Sequence, residues 1–341
     1  MSGLSLQKRV RWLSVVSVVS VVLGTLVSGT LLLALGPSHL MAQDYPSKPI
    51  RMWIPSSAGG ATDVAARILG VQLAEMLSQP VIVENRVTSG GMVATGQLAQ
   101  SAPDGYTLMM TFDTFATTPH LYKSAPYDVV KDFTPIMLVT RYPQILIVHP
   151  SLKVKTVREF VAYAKTNGAR MNFGSAGPGS SARLSYELFK DVAGIETMPV
   201  HYKGGGPAVQ DLIAGQLHVM LIQASGTIQQ SIKAGKLVGL ATSGLKRSPQ
   251  FPDLPVIADF YPGFETISWV GLIGPAGIPR NIVDRLNASL GKILGTVDMK
   301  EKMAGQGAEI VASTPDEFAA TIRNENARWG RIIRDKKISI D

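Results

Sequence analysis

From residue 48 onward the chain alternates short β-branched or aliphatic runs with amphipathic helical patterns, and this alternation restricts it more than any other feature. Ile50-Arg51-Met52-Trp53-Ile54-Pro55 reads as a strand, residues 62–77 as a helix with apolar positions at helical spacing, and residues 80–84 as a second strand. Further strands are expected at 106–110, 145–148, 171–174, 197–201, 217–221 and 237–241. Helices are expected at 156–166, 180–192, 207–214, up to 234, 279–294 and 314–333. Strand and helix alternating at this spacing imply an α/β fold built on mainly parallel sheets. The last helix carries its own start signal, because Thr314 can cap it, Pro315 occupies N1 and Glu317 falls at N3. No repeat of 20–50 residues is present, which excludes a solenoid or propeller.

Two apolar extended runs, 139–150 and 237–245, flank a self-contained block of alternating strands and helices. They are read as crossovers between two lobes. The expected division is residues 43–143 for the first part of lobe 1, 144–242 for lobe 2, and 243–341 for the return to lobe 1. Residues 1–42 have the order of a secretory signal: Lys8, Arg9 and Arg11, then an uncharged stretch at 12–35, then Gly36-Pro37 and a small residue at Ala42. Cleavage near Ala42 would release the mature chain into the periplasm. The other reading is a retained anchor, since the stretch is long enough to span a bilayer.

Several function classes drop out on composition. With 0 cysteines there can be no disulfide, thiol nucleophile or cysteine metal site. The 5 histidines are isolated in sequence, so no metal site is expected. The net charge of +8 includes the three basic residues of the leader; without them 30 basic residues face 25 acidic ones, with no like-charge run, so no nucleic acid is expected as a partner. Neither a G-x-S-x-G elbow nor a G-x-x-x-x-G-K-[ST] loop occurs. Gly177-x-Gly179-x-x-Ala182 has the spacing of a dinucleotide fingerprint, but Pro178 sits inside the turn and the next strand ends at His201 rather than at an acid. No cofactor is expected. The alternative of an exported hydrolase or lyase would use Asp63 or Asp113 as base, although near a helix start the simpler role of Asp63 is to satisfy N–H groups.

In open α/β sheets ligands gather where strands lead into helix N-termini. Two such loops are rich in glycine and hydroxyls: Ser56-Ser57-Ala58-Gly59-Gly60-Ala61-Thr62 and Ser175-Ala176-Gly177-Pro178-Gly179-Ser180-Ser181. Free N–H groups there can cradle a carboxylate or phosphate, or the loops can be ordinary capped turns. Tyr202-Lys203-Gly204-Gly205-Gly206-Pro207 is a third loop before a helix.

Motifs in order then carry a resemblance. Tyr45-Pro46-Ser47-Lys48-Pro49-Ile50, Gly59-Gly60-Ala61-Thr62-Asp63, Pro80-Val81-Ile82-Val83-Glu84-Asn85-Arg86, Ala102-Pro103-Asp104-Gly105-Tyr106 and Gly174-Ser175-Ala176-Gly177 occur together with Tyr202-Lys203-Gly204 and Gly274-Pro275-Ala276-Gly277. The chain resembles the periplasmic solute-binding proteins of the tripartite tricarboxylate transporter family, the Bug proteins, from Tyr45 onward. The resemblance implies a two-lobed, type II periplasmic-binding-protein-like fold that closes on a small organic carboxylate. Such a protein is not an enzyme, and would act as a monomer that hands its ligand to membrane permease subunits or, alternatively, to a membrane sensor. Carried over, ligand contacts fall on Ser57, Ala58, Gly59, Gly60, Ala61 and Thr62, on Thr111, Phe112, Asp113 and Thr114, and on Ser175, Ala176, Gly177, Gly179, Ser180 and Ser181. Tyr202, Gly204 and Gln223 complete the set. Three departures from the family pattern stand out. Arg183 replaces a common histidine and either binds a carboxylate in the cleft or is solvated on the outer face of its helix. Asp113 replaces a common glycine and could select an amine or hydroxyl, or pair with Arg183. The segment Met220-Leu221-Ile222-Gln223-Ala224-Ser225 lacks an aspartate that some relatives carry, which argues against amino-acid ligands.

Overall fold

Alternating strands and helices arise where the sequence places them, and the computed structural model, which describes residues 45–87, 91–338 and 340, shows how they are layered. The expected leader, residues 1–42, lies outside the described residues. Strand β1 (Ile50–Ile54), helix α1 (Ala61–Leu77), β2 (Val81–Asn85), α2 (Met92–Ala99), β3 (Thr107–Phe112) and α3 (Thr114–Leu121) come first. The long strand β4 (Phe133–Val148) follows, then α4 (Val157–Asn167), β5 (Asn172–Ser175), α5 (Ser181–Ala193), β6 (Met198–His201), α6 (Gly205–Ile213), β7 (Val219–Gln223), α7 (Gly226–Lys233) and β8 (Val238–Thr242). The chain ends with β9 (Ile267–Pro275), α8 (Arg280–Leu294), α9 (Val297–Gly305), β10 (Glu309–Ile310) and α10 (Pro315–Asp335).

Two sheets share β4. The first runs β2-β1-β3-β9-β4, with β10 also on β4; the second runs β4-β7-β5-β6, with β8 on the other side of β4. Pairing is parallel within the βαβ units (β1 with β2 and β3, β5 with β6 and β7) and antiparallel where β9 and β4 join them. β4 changes partner abruptly: Pro143 is its last residue opposite β9, at Ile267, and Gln144 its first opposite β7, at Gln223. This is the α/β, two-lobed architecture of a type II binding protein, with one sheet per lobe.

The period of two along β4 explains why the second lobe is solid on both faces of its sheet. Leu146 and Val148 join a cluster with Phe160, Phe173, Tyr186 and Phe189. Ile145 and Ile147 point oppositely, into a cluster with Leu212, Met220 and Phe251. The first lobe centres on Trp53, Phe115, Phe133, Trp269 and Phe318. Leu121 of α3, Leu184 of α5 and Trp329 and Ile333 of α10 form a fourth cluster, which ties the last helix to both lobes. The capping box expected at that helix is present, with Glu317 N–H donating to Thr314 Oγ1 at 3.2 Å and Thr314 N–H to Glu317 Oε2 at 2.9 Å.

The run 139–150 falls mostly in β4, which pairs with β9 in the first sheet and with β7 in the second, whereas the run 237–245 stays with the second sheet. Its strand, β8, pairs with β4 inside the second sheet, and Ile257 and Phe264 still pack in the second lobe's core. The next strand, β9, pairs with β3 and β4 in the first sheet. Glycine-rich and without alternation, Ile267–Pro275 gives no strand signal, yet all but its first residue are buried. Gly271 is required there, because a Cβ would lie 2.3 Å from Phe318 Cζ.

Candidate functional site

Four helices begin at one cavity. The N-termini of α1 (Gly59, Gly60), α5 (Ser180, Ser181), α6 (Gly205, Gly206) and α7 (Ser225, Gly226, Thr227) line a space of about 630 Å³ in the cleft, with Ala176, Ile222 and Gln223 beside them. None of the described lining residues is charged. The opposite pole of a helix also reaches it, since Gly305 at the end of α9 borders the cavity.

Each start is held in a particular way. Gly60 and Gly204, the caps of α1 and α6, offer no side chain to their helices, so first-turn N–H groups stay open to the cavity. At α5 and α7 the caps Ser180 and Ser225 accept from the third helical residue, Arg183 N–H at 3.3 Å and Ile228 N–H at 3.4 Å, which leaves the preceding N–H groups free of the caps. The α5 and α6 loops are also stitched together, Gly204 N–H donating to Ala176 O at 3.0 Å and Tyr202 N–H to Ser175 O at 3.0 Å.

Asp63 organises the first loop rather than doing acid–base work. Its carboxylate accepts from Gly59 N–H at 2.9 Å, Arg67 Nε at 3.0 Å and Asn85 Nδ2 at 2.9 Å. Burial pushes its pKa up, but these three donors outweigh burial and hold it below the ordinary value. A carboxylate so held stays ionised and is tied to the loop, the helix and β2 at once.

Of the expected contacts, Gly59, Gly60, Ala176, Ser180, Ser181 and Gln223 line the cavity. Ser57, Ala58 and Thr62 lie in the first loop and helix start but do not line it, and Ala61 contributes the first backbone turn of α1. Thr111, Phe112 and Thr114 border a separate void of about 10 Å³ with Phe115 and Tyr127. Ser175 is buried, its Oγ 2.7 Å from His201 Nδ1. Gly177, with φ of +145°, shapes the turn, and a Cβ on Gly179 would meet Leu121 of α3. Gly204 caps α6. Tyr202 donates to Asp211 Oδ2 at 2.6 Å, and burial together with that carboxylate pushes its phenol up to about 12. Arg183 turns away from the cleft: its Nη1 donates to Pro178 O at 2.7 Å, and it borders a charged groove with Glu187, Lys190 and Lys336. It does not pair with Asp113, which is buried behind Ser181.

The starts of α6 and α7 are the residues that sequence reading left out. Gly205 and Gly206 belong to the third loop it noticed, and Ser225 carries an N-cap signal; Gln210, Thr227 and Gln306 gave none.

Residues 65–338 match the family model described as "Tripartite tricarboxylate transporter family receptor". The chain belongs to that family. The receptor is 35% identical to Protein BugT of Bordetella pertussis over 297 residues, covering 86% of this chain and 91% of that one. Its fold matches Rpa4515 of R. palustris, solved with adipate, at a TM-score of 0.79 and 32% identity, covering 87% of this chain and 100% of that one. It also matches MatC of Rhodopseudomonas palustris, solved with bound malate, at a TM-score of 0.75 and 30% identity over 85% of this chain and 100% of that one. The periplasmic binding protein BugD matches as well, at a TM-score of 0.76 and 33% identity, covering 86% of this chain and 99% of that one. The receptor is accordingly a solute-binding protein of this family. Among its described residues no helix is long and apolar enough to cross a membrane, and no cluster of three potential metal ligands occurs.

Proposed function

We propose that this receptor captures a small dicarboxylate in the periplasm, between its lobes, and delivers it to the permease subunits of a tripartite tricarboxylate-type transporter. The observation that carries the reading is the convergence of four helix N-termini on an uncharged cavity of about 630 Å³. Open N–H groups and aligned peptide dipoles favour an anion there, and the volume falls within the range of about 300–1,000 Å³ usual for small-molecule sites. The acids held by two relatives of this fold, adipate and malate, have two carboxylates each. Both ends of such a ligand would meet main-chain donors, one on the α1 side and one on the α5, α6 and α7 side. The ligand-contact set in this reading is Gly59, Gly60, Ala176, Ser180, Ser181, Gly205, Gly206, Gln223, Ser225, Gly226 and Thr227.

The lobes in this reading are residues 43–143 with 267–341, and residues 144–266. The partner switch of β4 at Pro143 and Gln144 supports the first boundary, and the packing of Phe264 in the second core supports a second boundary at β9 in place of 243. Export with cleavage near Ala42 and a monomeric mature receptor complete the proposal. A ligand that binds only the native state raises the melting temperature. Receptor stripped of ligand by unfolding and refolding is expected to melt higher with adipate, malate or a dicarboxylate of similar length; no shift with any of them refutes the reading.

A further inference from the structure

Directly behind the cleft lies a carboxyl group that the site as described does not use. Asp113, between β3 and α3, is 7% exposed, and its Oδ2 has no hydrogen-bond partner among the described residues. The hydroxyls of Ser181 and Ser268 and the Thr114 N–H stand around the carboxyl. Ser181 is the first residue of α5 and lines the cavity, and its Oγ is 3.4 Å from Ser268 Oγ. One hydroxyl therefore separates the buried carboxyl from the space an anion would occupy.

A hydroxyl has a single proton to donate, and an ionised carboxylate can only accept. While Asp113 is ionised, the Ser181 proton is drawn back toward it, so an arriving carboxylate meets oxygen lone pairs with a second negative charge behind them. Protonated Asp113 becomes a donor to Ser181 Oγ, and the Ser181 proton can turn to the ligand.

The groups packed around Asp113 reinforce this coupling. From α10, Glu325 acts on it as a like charge; Glu325 is itself raised by burial, with Arg328, Trp329 Nε1 and Arg141 lowering it and Glu265 raising it. On α3, His120 is bonded to Asn326 at 2.7 Å, and on α5 the Arg183 guanidinium is bonded to Pro178 O. From β4 the neutral Gln144 amide reaches Ser268 Oγ at 3.3 Å. Burial raises Asp113 to about 6, with the two serines lowering it and Glu325 adding to the rise, so the group stands within reach of protonation near neutral pH.

We propose that Asp113 is a positioning residue that takes up one proton from solvent when a carboxylate binds, and so turns the Ser181 hydroxyl into a donor to the ligand. This rests on the carboxylate reading of the cleft. The test is calorimetric titration of full-length mature receptor with adipate and malate at pH 7.5, in triethanolamine and in Tris, whose ionisation enthalpies differ and which bring no competing oxyanion. The observed enthalpy is expected to differ between buffers by the amount that uptake of close to one proton requires, and the Kd to weaken up to tenfold per pH unit above 7. Asp113→Asn, which mimics the protonated acid, is expected to bind with a Kd that does not change with pH and an enthalpy independent of buffer. Binding by wild-type receptor with no buffer dependence overturns the proposal without touching the carboxylate reading, and so does an unchanged pH slope in Asp113→Asn. Failure of both acids to bind at every pH overturns the two together.

Discussion

Replacing Asp113 by asparagine in the ligand-free receptor isolates the cost of burying this acid. Its pKa rises from 3.8 to about 6 on folding, so the native state binds more protons than the unfolded chain between those values. Stability contributed by such a group is greatest below pH 3.8, falls as pH climbs toward 6, and stays low above it. At about 1.4 kcal/mol per pKa unit the loss amounts to about 3 kcal/mol at pH 7.5. Asparagine keeps the shape and cannot ionise. The variant should match wild type near pH 4 and exceed it by about 3 kcal/mol at pH 7.5, equivalent to about 5–10 °C for a chain of this size. Urea denaturation at a series of pH values measures the difference curve directly, and subtraction cancels carboxylates of the opposite sign. Asp63 and Glu84, held low by their donors, contribute stability that is lost as pH falls through their folded values, and they do so equally in both proteins. A difference that is the same at pH 4 and pH 7.5 would refute the reasoning, because any packing effect of the amide persists at both.

Two other substitutions address the cavity. Gly206→Phe should abolish the ligand-induced rise in melting temperature while leaving the ligand-free protein within about 1 kcal/mol of wild type, because a Cβ there has nothing within 4 Å and faces the cavity; retained ligand response would place the site elsewhere. Arg183→Ala should change dicarboxylate affinity less than about threefold, since its guanidinium is committed to Pro178 O and borders a separate charged groove; a loss of the several kcal/mol expected on deleting a buried ion pair, measured by calorimetry, would put the arginine in the cleft.

The parts of this fold that were legible in sequence are those whose local pattern and tertiary role agree. Helix α5 buries Ala182, Tyr186, Phe189 and Ala193 at helical spacing and ends on Gly194 in the left-handed conformation, and each signal is local. Helices α2 and α3 were not read because Met-Val-Ala-Thr-Gly-Gln-Leu-Ala and Thr-Phe-Ala-Thr-Thr-Pro-His-Leu are short, weakly patterned and, in α3, interrupted by Pro119. β9 was missed for the reverse reason: it is buried on both faces and contains Gly271 and Gly274, so neither alternation nor composition marks it, and only pairing with β3 and β4 defines it. The site divides in the same way. The α1 and α5 loops announce themselves by composition, but the starts of α6 and α7 join them only through the parallel order β7-β5-β6. Asp113 lies in the loop that the resemblance indicates, and its burial beside Ser181 and Ser268 is a tertiary contact that no local pattern records.

The electrostatics of the cleft connect its missing cations to the acid behind it. A helix N-terminus carries about half a positive charge, so four of them give a nominal total of about +2, reduced by about half a unit where the C-terminus of α9 borders the cavity. That field suits an anion without the desolvation and side-chain ordering that a buried arginine would require. An ionised Asp113 one hydroxyl away subtracts a full unit, leaving about +0.5, too little to compensate two carboxylates in a space from which water is displaced. Neutralising Asp113 restores the field that the four helices supply. A receptor built on main-chain donors and the Ser181 hydroxyl would then bind its ligand through fixed partial charges and release it when the proton leaves. On this argument Asp113→Asn should hold dicarboxylate at alkaline pH where wild type lets it go, and dissociation rates measured by stopped flow across pH 6.5–8.5 should rise with pH in the wild type alone.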